Sequence, residues 1–282
     1  MSLFDPNPCR LGEGPLWHPK RASLIWFDIL NKTMFERRGH TRVEWHFEEH
    51  VSAAGWLDPD TILMASETGL WQFDLGTAAR DLIVPLEAEN AVTRSNDGRA
   101  DPWGGFWIGT MGKALEPNAG AIYRYYQGEL RQLVPDITIS NAICFAPDRS
   151  CAYFADTPTQ QIMRIALDPA TGWPTGTPEI CIDLRADGVN PDGAVTDAQG
   201  NLWIALWGAA RVACYDPQGR HLRDAPVTAL QPTCPAFGGT DLRDLIVTSA
   251  NDGLIPIDGD SDGMTLIAAD TAQGLPEPQV IL

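Results

Sequence analysis

The sequence predicts an all-β protein that folds as a six-bladed β-propeller, and three observations support this prediction. A sequence motif recurs six times along the 282 residues, at intervals of 40 to 51 residues. Each copy leads through a turn into a short run rich in aromatic and branched aliphatic residues, which is typical of a β-strand. No segment has the sustained 3.6-residue apolar period of an amphipathic helix. A repeat of this length with several short strands is typical of a propeller blade.

Each copy of the motif begins at a residue that we call its anchor. The copies start with EGPLWHP, AAGWLDP, NDGRADP, NAICFAP, DGAVTDA and CPAFGGT, and their anchors are Glu13, Ala53, Asn96, Asn141, Asp192 and Cys234. A proline follows six residues after the anchor in the first four copies, and the sixth copy is the weakest match. Further strand-like runs follow, such as TMFERR and AIYRYY. Because the copies fill the chain, we expect a single domain over residues 1–282.

A propeller must also close into a ring. Residues 1–12 and the C-terminal segment EPQVIL lie outside the six copies, and they are candidates for strands that complete one blade from opposite ends of the chain. The sequence does not determine which terminus supplies the outer strand. The alternative fold is a β-sandwich with irregular hairpins.

Charge and composition limit the classes of partner. The chain has 37 Asp and Glu against 20 Lys and Arg, a formal net charge of −17, so we expect no binding to nucleic acid or to an anionic membrane. It has no apolar run long enough for a transmembrane helix and no segment like a signal peptide. The six cysteines form no C-x-x-C pair, which favours reduced thiols. We therefore expect a cytoplasmic protein, monomeric or weakly oligomeric.

Equivalent positions of the blades form a ring around the channel, because rotation about one axis relates the blades. We therefore expect the anchors to face the channel at one height, where Glu13 and Asp192 bring carboxylates and Asn96 and Asn141 bring carboxamides. Such groups are costly to bury together unless something satisfies them. Their oxygens suit Ca²⁺, Mg²⁺ or Mn²⁺, and Zn²⁺ is less favoured because no histidine is near an anchor. The sequence thus predicts a divalent metal site in the central channel, although each anchor taken singly is more simply a turn or capping residue.

Four segments around the anchors resemble the senescence marker protein/gluconolactonase family, which includes regucalcin and sugar lactonases. They are LGEGPLWH (11–18), RSNDGRADPWGGFWIGTM (94–111), ISNAICFAPD (139–148) and NPDGAVTDAQGNLWIALWG (190–208). The segments are specific together, whereas any one of them contains only common turn motifs.

The resemblance assigns roles to individual residues. It implies that Glu13, Asn141 and Asp192 bind the metal ion. It also implies that Arg94 and Asn96 contact the substrate. Two further candidates for substrate contact are Asp97, which lies beside them, and Glu116, which is the nearest glutamate in the loop after G-T-M.

The resemblance further implies that the chain hydrolyses a sugar lactone to its aldonic acid with one divalent metal ion. Asp192 would then be a metal ligand and also a candidate for the base that takes a proton from the attacking water. Trp207 fits either the hydrophobic core or a surface for the sugar ring. Two other functions stay open, namely metal-dependent hydrolysis of phosphotriesters and a non-catalytic propeller with a structural calcium ion. The sequence determines neither the particular lactone nor the metal.

Overall fold

The computed structural model describes residues 1–255 and 261–282. Within them, twenty-four β-strands form six four-stranded antiparallel sheets. Each sheet is one blade of a propeller, so the predicted all-β, six-bladed fold is confirmed. The described residues contain one short 3₁₀ helix, η1 (Thr157–Thr159).

The strands are numbered along the chain from the N-terminal strand β1 (Ser2–Asp5). The first blade contains β2 (Gly12–His18), β3 (Ser23–Asp28), β4 (Thr33–Arg38) and β5 (Thr41–His46). The second contains β6 (Val51–Trp56), β7 (Thr61–Ser66), β8 (Gly69–Asp74) and β9 (Arg80–Pro85). The third contains β10 (Thr93–Ala100), β11 (Phe106–Gly112), β12 (Gly120–Tyr126) and β13 (Glu129–Ile137).

The other three blades repeat this arrangement. The fourth contains β14 (Ser140–Phe145), β15 (Cys151–Asp156), β16 (Gln161–Leu167) and β17 (Pro174–Asp183). The fifth contains β18 (Asn190–Thr196), β19 (Leu202–Trp207), β20 (Arg211–Tyr215) and β21 (His221–Pro226). The sixth contains β22 (Gln231–Gly238), β23 (Asp244–Ala250) and β24 (Thr265–Ala268), and β1 is its fourth strand.

The innermost strand of every blade carries the anchor and has a β-bulge at or beside it. In the first blade Glu13 pairs with Phe27 and Leu16 pairs with Ile25, so the inner strand has one more residue than its partner between the two pairs. A bulge bends the strand and changes the direction in which the bulged side chains point. The six bulges therefore interrupt the alternation of side chains at the height of the anchors.

The prediction that all six anchors face the channel at one height is only partly correct. Glu13, Asn96, Asn141 and Asp192 line one large cavity, described below. Cys234 lines a much smaller cavity farther along the channel. The Ala53 side chain packs in the hydrophobic core between the second and third blades, where its small apolar methyl group is well accommodated.

The hydrophobic core consists of six clusters of buried residues, one between each pair of neighbouring blades. Every blade is therefore held by apolar contacts on both faces. The six cysteines are free, and five of them are buried in or near these clusters, as expected for reduced thiols.

The N-terminus closes the ring, because β1 pairs antiparallel with β24 and forms the outer edge of the sixth blade. The C-terminal segment EPQVIL contributes no strand to this blade. The expectation that both termini supply strands to one blade was therefore wrong for the C-terminus. The segment instead crosses the second and third blades, where Val280 N donates to Trp56 O at 2.9 Å and Ile281 N donates to Gly104 O at 2.8 Å. Its Val280 side chain is buried in the cluster between these blades.

The same C-terminal segment places a charge in the channel. The side chains of Glu277 and Arg99 form an ion pair and retain only 9% and 10% of their exposure. Arg99 also donates from Nη2 to the carbonyl oxygen of Ala194 in the fifth blade, at 3.2 Å. This ion pair therefore connects the chain terminus to strands on two sides of the channel.

In the part of the chain that the structure describes, no helix has the length and apolar character needed to cross a membrane. The single domain over residues 1–282, the monomeric or weakly oligomeric state and the cytoplasmic location stay predictions.

We expect Glu277→Ala to destabilise the fold, because it leaves the buried Arg99 guanidinium without its counter-charge. Breaking a buried ion pair in this way typically costs about 3–5 kcal/mol of unfolding free energy. The control is Glu129→Ala, since Glu129 pairs with Arg131 on an exposed hairpin and should change stability by no more than about 0.5 kcal/mol. Equilibrium unfolding in urea measures both values. Equally small losses of unfolding free energy in the two variants would show that the Glu277–Arg99 pair does not hold the C-terminal segment.

Candidate active site

A cavity of about 520 Å³ lies where the inner strands begin, at one end of the central channel. Its most buried polar lining comes from four blades, each of which supplies side chains from the start of its inner strand. These side chains are at most 6% exposed, and they belong to Glu13, Arg94, Asn96, Asn141 and Asp192. The structure therefore brings together the three predicted metal ligands and two of the predicted substrate contacts.

The backbone beside two of these residues has left-handed conformation. Gly14, which follows Glu13, has a φ of 56°, and a Cβ atom there would lie 2.2 Å from the carbonyl oxygen of Ser52 in the second blade. Only glycine fits this close approach. Ala142, which follows Asn141, has a φ of 57° although it is not glycine. Such a conformation is uncommon for alanine and marks a position that the surrounding structure must hold.

Hydrogen bonds connect the polar side chains from the third blade to the fourth. Arg94 Nη1 donates to Asn96 Oδ1 at 2.8 Å and to the carbonyl oxygen of Ser95 at 2.8 Å. Asn96 Nδ2 donates to Asn141 Oδ1 at 3.1 Å and to the carbonyl oxygen of Ser140 at 2.8 Å. The side chains of Arg94, Asn96 and Asn141 are thus already oriented within the protein.

The two carboxyl groups line the same cavity, and each affects the pKa of the other. Burial, together with the charge of Asp97, raises the pKa of Glu13 to about 8. Burial, together with the charges of Glu13 and Asp97, raises the pKa of Asp192 well above its ordinary value. Two carboxyl groups buried in one cavity favour a bound proton or cation, since two bare negative charges repel each other strongly there.

Arg94 only partly compensates this negative charge. Burial lowers the pKa of Arg94 to about 10, which still leaves the guanidinium charged at neutral pH, and the charges of Glu13 and Asp192 favour that form. One cation against two carboxyl groups leaves room for a further positive charge. The electrostatic environment is therefore suited to a metal ion as well as to a proton.

The donor atoms fit a hard divalent ion. Among the described residues no group of three or more His, Cys, Asp or Glu side chains is placed to hold a metal, so carboxylates alone do not form a site. The cavity adds the carboxamide oxygen of Asn141 to the carboxylates of Glu13 and Asp192. Three oxygen ligands with positions left for water or substrate are typical of ions such as Ca²⁺, Mg²⁺ and Mn²⁺.

The other predicted site residues lie elsewhere. Asp97 lines the small second cavity, of about 10 Å³, and its Oδ2 accepts a hydrogen bond of 2.7 Å from the backbone N–H of Ile143. Burial raises the pKa of Asp97 to about 6. Glu116 is not part of the lining of the large cavity, because its Oε2 turns back to accept from the backbone N–H of Ala114 at 3.0 Å. Trp207 lines the large cavity, which favours contact with a ligand over a role in the core.

Several cavity residues were not identified from the sequence. Thr157 comes from η1 and accepts a hydrogen bond of 2.8 Å from Asn141 Nδ2. Arg10 and Asp252 form an exposed ion pair at the rim, with 2.7 Å between Nε and Oδ1. Lys113 also lines the cavity and pairs with Glu67, at 3.4 Å. All lie outside the aligned anchor positions, so the repeat gave no signal for them.

The fold and the site together define a class of protein. Its members are six-bladed propellers with buried carboxyl and carboxamide side chains in the channel. The model of one family, the SMP-30/gluconolactonase/LRE-like region, matches residues 11–251. The chain therefore belongs to this family, and the resemblance noted in the sequence is confirmed.

Individual relatives are similar over most of their length. A Rhizobium meliloti protein provisionally named a sugar lactone lactonase is 42% identical over 246 residues, which cover 86% of this chain and 83% of the relative. The L-arabinolactonase of Azospirillum brasilense is 34% identical over 252 residues, which cover 86% and 82%. The crystal structure of a calcium-binding protein, regucalcin, from Agrobacterium tumefaciens superposes with a TM-score of 0.97 at 38% identity, covering 99% of this chain and 97% of that one.

We expect the metal-free protein to lose stability as the pH rises from about 4.5 towards 8. The pKa of Glu13 is about 8 in the folded chain against an ordinary value of 4.5, so the folded state holds a proton that the unfolded state releases. The resulting stabilisation is complete below pH 4.5 and declines above it, by at most about 1.4 kcal/mol per pH unit for one proton.

Glu13→Gln should make this decline shallower, because glutamine does not titrate and because the variant also removes one cause of the raised pKa of Asp192. Urea unfolding of the chelated wild type and variant at several pH values between 5 and 8 measures the difference, with Glu129→Gln as an exposed control. A variant whose unfolding free energy falls as steeply with pH as that of the wild type would contradict the prediction.

Proposed function

We propose that the protein hydrolyses a sugar lactone to the corresponding sugar acid with one divalent metal ion, held by Glu13, Asn141 and Asp192. The proposal depends chiefly on the burial of two carboxyl groups and one carboxamide group in the lining of a single large cavity. The names of the relatives support the substrate class, since two of them are called lactonases. The calcium-binding regucalcin of similar fold supports a metal of the Ca²⁺, Mg²⁺ or Mn²⁺ kind, and Zn²⁺ stays a further candidate.

The metal ion, when bound, supplies a Lewis acid that polarises the carbonyl group of the lactone. Arg94 uses Nη1 for Asn96 and Ser95, so its other N–H groups are available to substrate oxygens. Asn96 Oδ1 accepts one hydrogen bond from Arg94 and has a second lone pair for a sugar hydroxyl. These two side chains orient the lactone over the carboxyl groups.

Asp192 is the proposed proton acceptor. It takes a proton from the water that adds to the carbonyl carbon, and it returns this proton to the ring oxygen as the carbon–oxygen bond of the lactone breaks. The products are a free hydroxyl group and a carboxylic acid on one open-chain molecule.

The cavity suits a polyhydroxylated substrate. Its buried part is polar, and buried donors and acceptors discriminate strongly against analogues that lack the matching hydroxyl groups. The lining also includes Trp207, Met111 and Leu115, which offer apolar surface to the carbon face of a sugar ring. The proposed orientation therefore places the lactone carbonyl at the carboxyl groups and the rest of the sugar towards the rim.

Exhaustive chelation should abolish lactone hydrolysis and lower the melting temperature, because a ligand that binds only the folded state stabilises it by mass action. Proton release from a panel of pentono-, hexono- and uronic-acid-derived lactones, with Ca²⁺, Mg²⁺, Mn²⁺ or Zn²⁺ added back, measures the activity. Full activity of chelated protein with no metal detected by elemental analysis would reject the metal.

The same measurements separate the alternative functions. Faster turnover of an organophosphate triester than of any lactone would indicate a phosphotriesterase. Tight Ca²⁺ binding without turnover of any ester would indicate a non-catalytic calcium-binding propeller.

Asp192→Asn should lower kcat by about 10²–10⁴ even at saturating metal, since it removes the proton acceptor while preserving the shape of the side chain. It should also weaken metal binding, because a charged ligand is lost. The matched control is Asp81→Asn, the same change at an exposed position of the outer strand β9 and outside the cavity lining, which should leave kcat nearly unchanged. Near-normal kcat of Asp192→Asn at saturating metal would make Asp192 a ligand only and place the base elsewhere.

A further inference from the structure

We infer that Thr157 is a positioning residue for the metal site, because its hydroxyl group acts together with Asn96 to hold the Asn141 carboxamide with the oxygen facing Asn96. The inference rests on the proposed role of Asn141 as a metal ligand, and it adds a residue outside the three ligands. Thr157 lines the large cavity and is the first residue of η1. A carboxamide can bind a metal ion only through its oxygen, so its orientation decides whether Asn141 is a ligand.

The orientation of the Asn141 carboxamide follows from a series of hydrogen bonds that begins at Arg94. A guanidinium group has hydrogen-bond donors only. Since Arg94 Nη1 donates to Asn96 at 2.8 Å, the atom of Asn96 that faces it must be the oxygen. The NH₂ group of Asn96 therefore points the other way, and it donates to Asn141 Oδ1 at 3.1 Å and to the carbonyl oxygen of Ser140 at 2.8 Å.

The Asn141 carboxamide also has only one possible orientation. Its oxygen accepts from Asn96, so its NH₂ group faces Thr157 and donates to Oγ1 at 2.8 Å. The Thr157 hydroxyl uses its one proton to donate to the carbonyl oxygen of Pro191 at 2.8 Å. A reversed Asn141 would bring its NH₂ group against that of Asn96, and Thr157 would need one proton for two acceptors. Only one direction of hydrogen bonding satisfies every member.

Thr157 also joins two of the proposed ligands. Its backbone N–H donates to the carbonyl oxygen of Ile139 at 3.0 Å, which holds η1 against the start of the fourth blade's inner strand. Its hydroxyl group bonds Pro191, the residue before Asp192, in the fifth blade. A β-branched side chain has few rotamers, so threonine holds this geometry more firmly than a flexible residue would. One hydroxyl group thus fixes Asn141 relative to the strand that carries Asp192.

The test compares three single variants of the full chain. Thr157→Val preserves the shape of the side chain and removes both hydrogen bonds, whereas Thr157→Ser keeps the hydroxyl group. Thr159→Val is the matched control, because Thr159 lies in the same helical turn, is exposed, and donates only to the carbonyl oxygen of Asp156 at 2.7 Å. Ca²⁺ and Mn²⁺ are titrated separately into each metal-free protein by isothermal calorimetry.

We expect Thr157→Val to raise the Kd of both ions by about 10–100-fold, the usual effect of removing a partner that orients a ligand. Thr157→Ser and Thr159→Val should stay within about twofold of wild type, the size of an ordinary surface substitution. If Thr157→Val does not fold, Thr157→Ala replaces it with the same expected result.

A second background separates orientation from general damage. In Asn141→Asp the side chain presents an oxygen whichever way it turns, so adding Thr157→Val should change the Kd by no more than about twofold. If Thr157→Val raised the Kd as much in this background as in the wild type, the inference would be overturned, because Thr157 would then act only through the stability of the loop. It would also be overturned by an unchanged Kd in Thr157→Val, an equal loss in Thr157→Ser or Thr159→Val, or no binding of either ion by the wild type.

This test and the proposed activity fail independently. Metal affinity that depends on Thr157 in a protein that turns over no lactone would reject the proposed reaction and leave the inference standing. Lactone turnover by a protein whose Kd for the metal does not depend on Thr157 would support the proposed reaction and reject the inference.

Discussion

The candidate site depends on a single electrostatic constraint, the burial of the Glu13 and Asp192 carboxyl groups in one cavity. The charge of Glu13 disfavours the ionised form of Asp192, because like charges repel strongly when both are buried. Two strands from different blades would not hold such groups together without support. Support comes from the apolar clusters between all neighbouring blades, which fix the inner strands and leave these side chains little freedom to separate. A site that attracts a cation is thus formed by a scaffold stabilised elsewhere.

One strand supplies charged and polar groups at two depths of the channel. Arg94 and Asn96 of β10 line the large cavity, while Asp97 and Arg99 of the same strand line the smaller cavity beyond it. In a regular strand, neighbouring residues point to opposite faces. The bulge between Ser95 and Gly98 changes this alternation and allows Asn96 and Asp97 both to contribute to the channel. The negative charge of Asp97 strengthens the attraction for a cation, and the C-terminal segment neutralises Arg99 through Glu277.

The hydrogen bonds around the cavity all run in one donor-to-acceptor order. Arg94 can only donate, and each carboxamide that follows must turn accordingly until the last proton reaches a backbone carbonyl. Buried polar groups that are all satisfied hold their side chains in one arrangement. The carboxamide of Asn141 is therefore oriented by protein groups alone, which suits a ligand that has to accept an ion without rearrangement.

The sequence by itself determined the number of blades, the inner strands and the residues of the site that lie at equivalent positions of the repeat. Each copy of the motif buries the same strand, so the alignment predicted that Glu13, Asn141 and Asp192 converge. The same alignment wrongly placed Ala53 and Cys234 beside them. The outer strands, such as β9 (Arg80–Pro85), gave no clear signal because they are largely exposed and lack a constant apolar pattern. Only the tertiary structure decided what lies outside the repeat. Thr157 and the C-terminal segment reach the channel through contacts between blades, and the closing strand comes from the N-terminus by pairing with β24. Such contacts join residues far apart in the chain and leave no periodic trace in it.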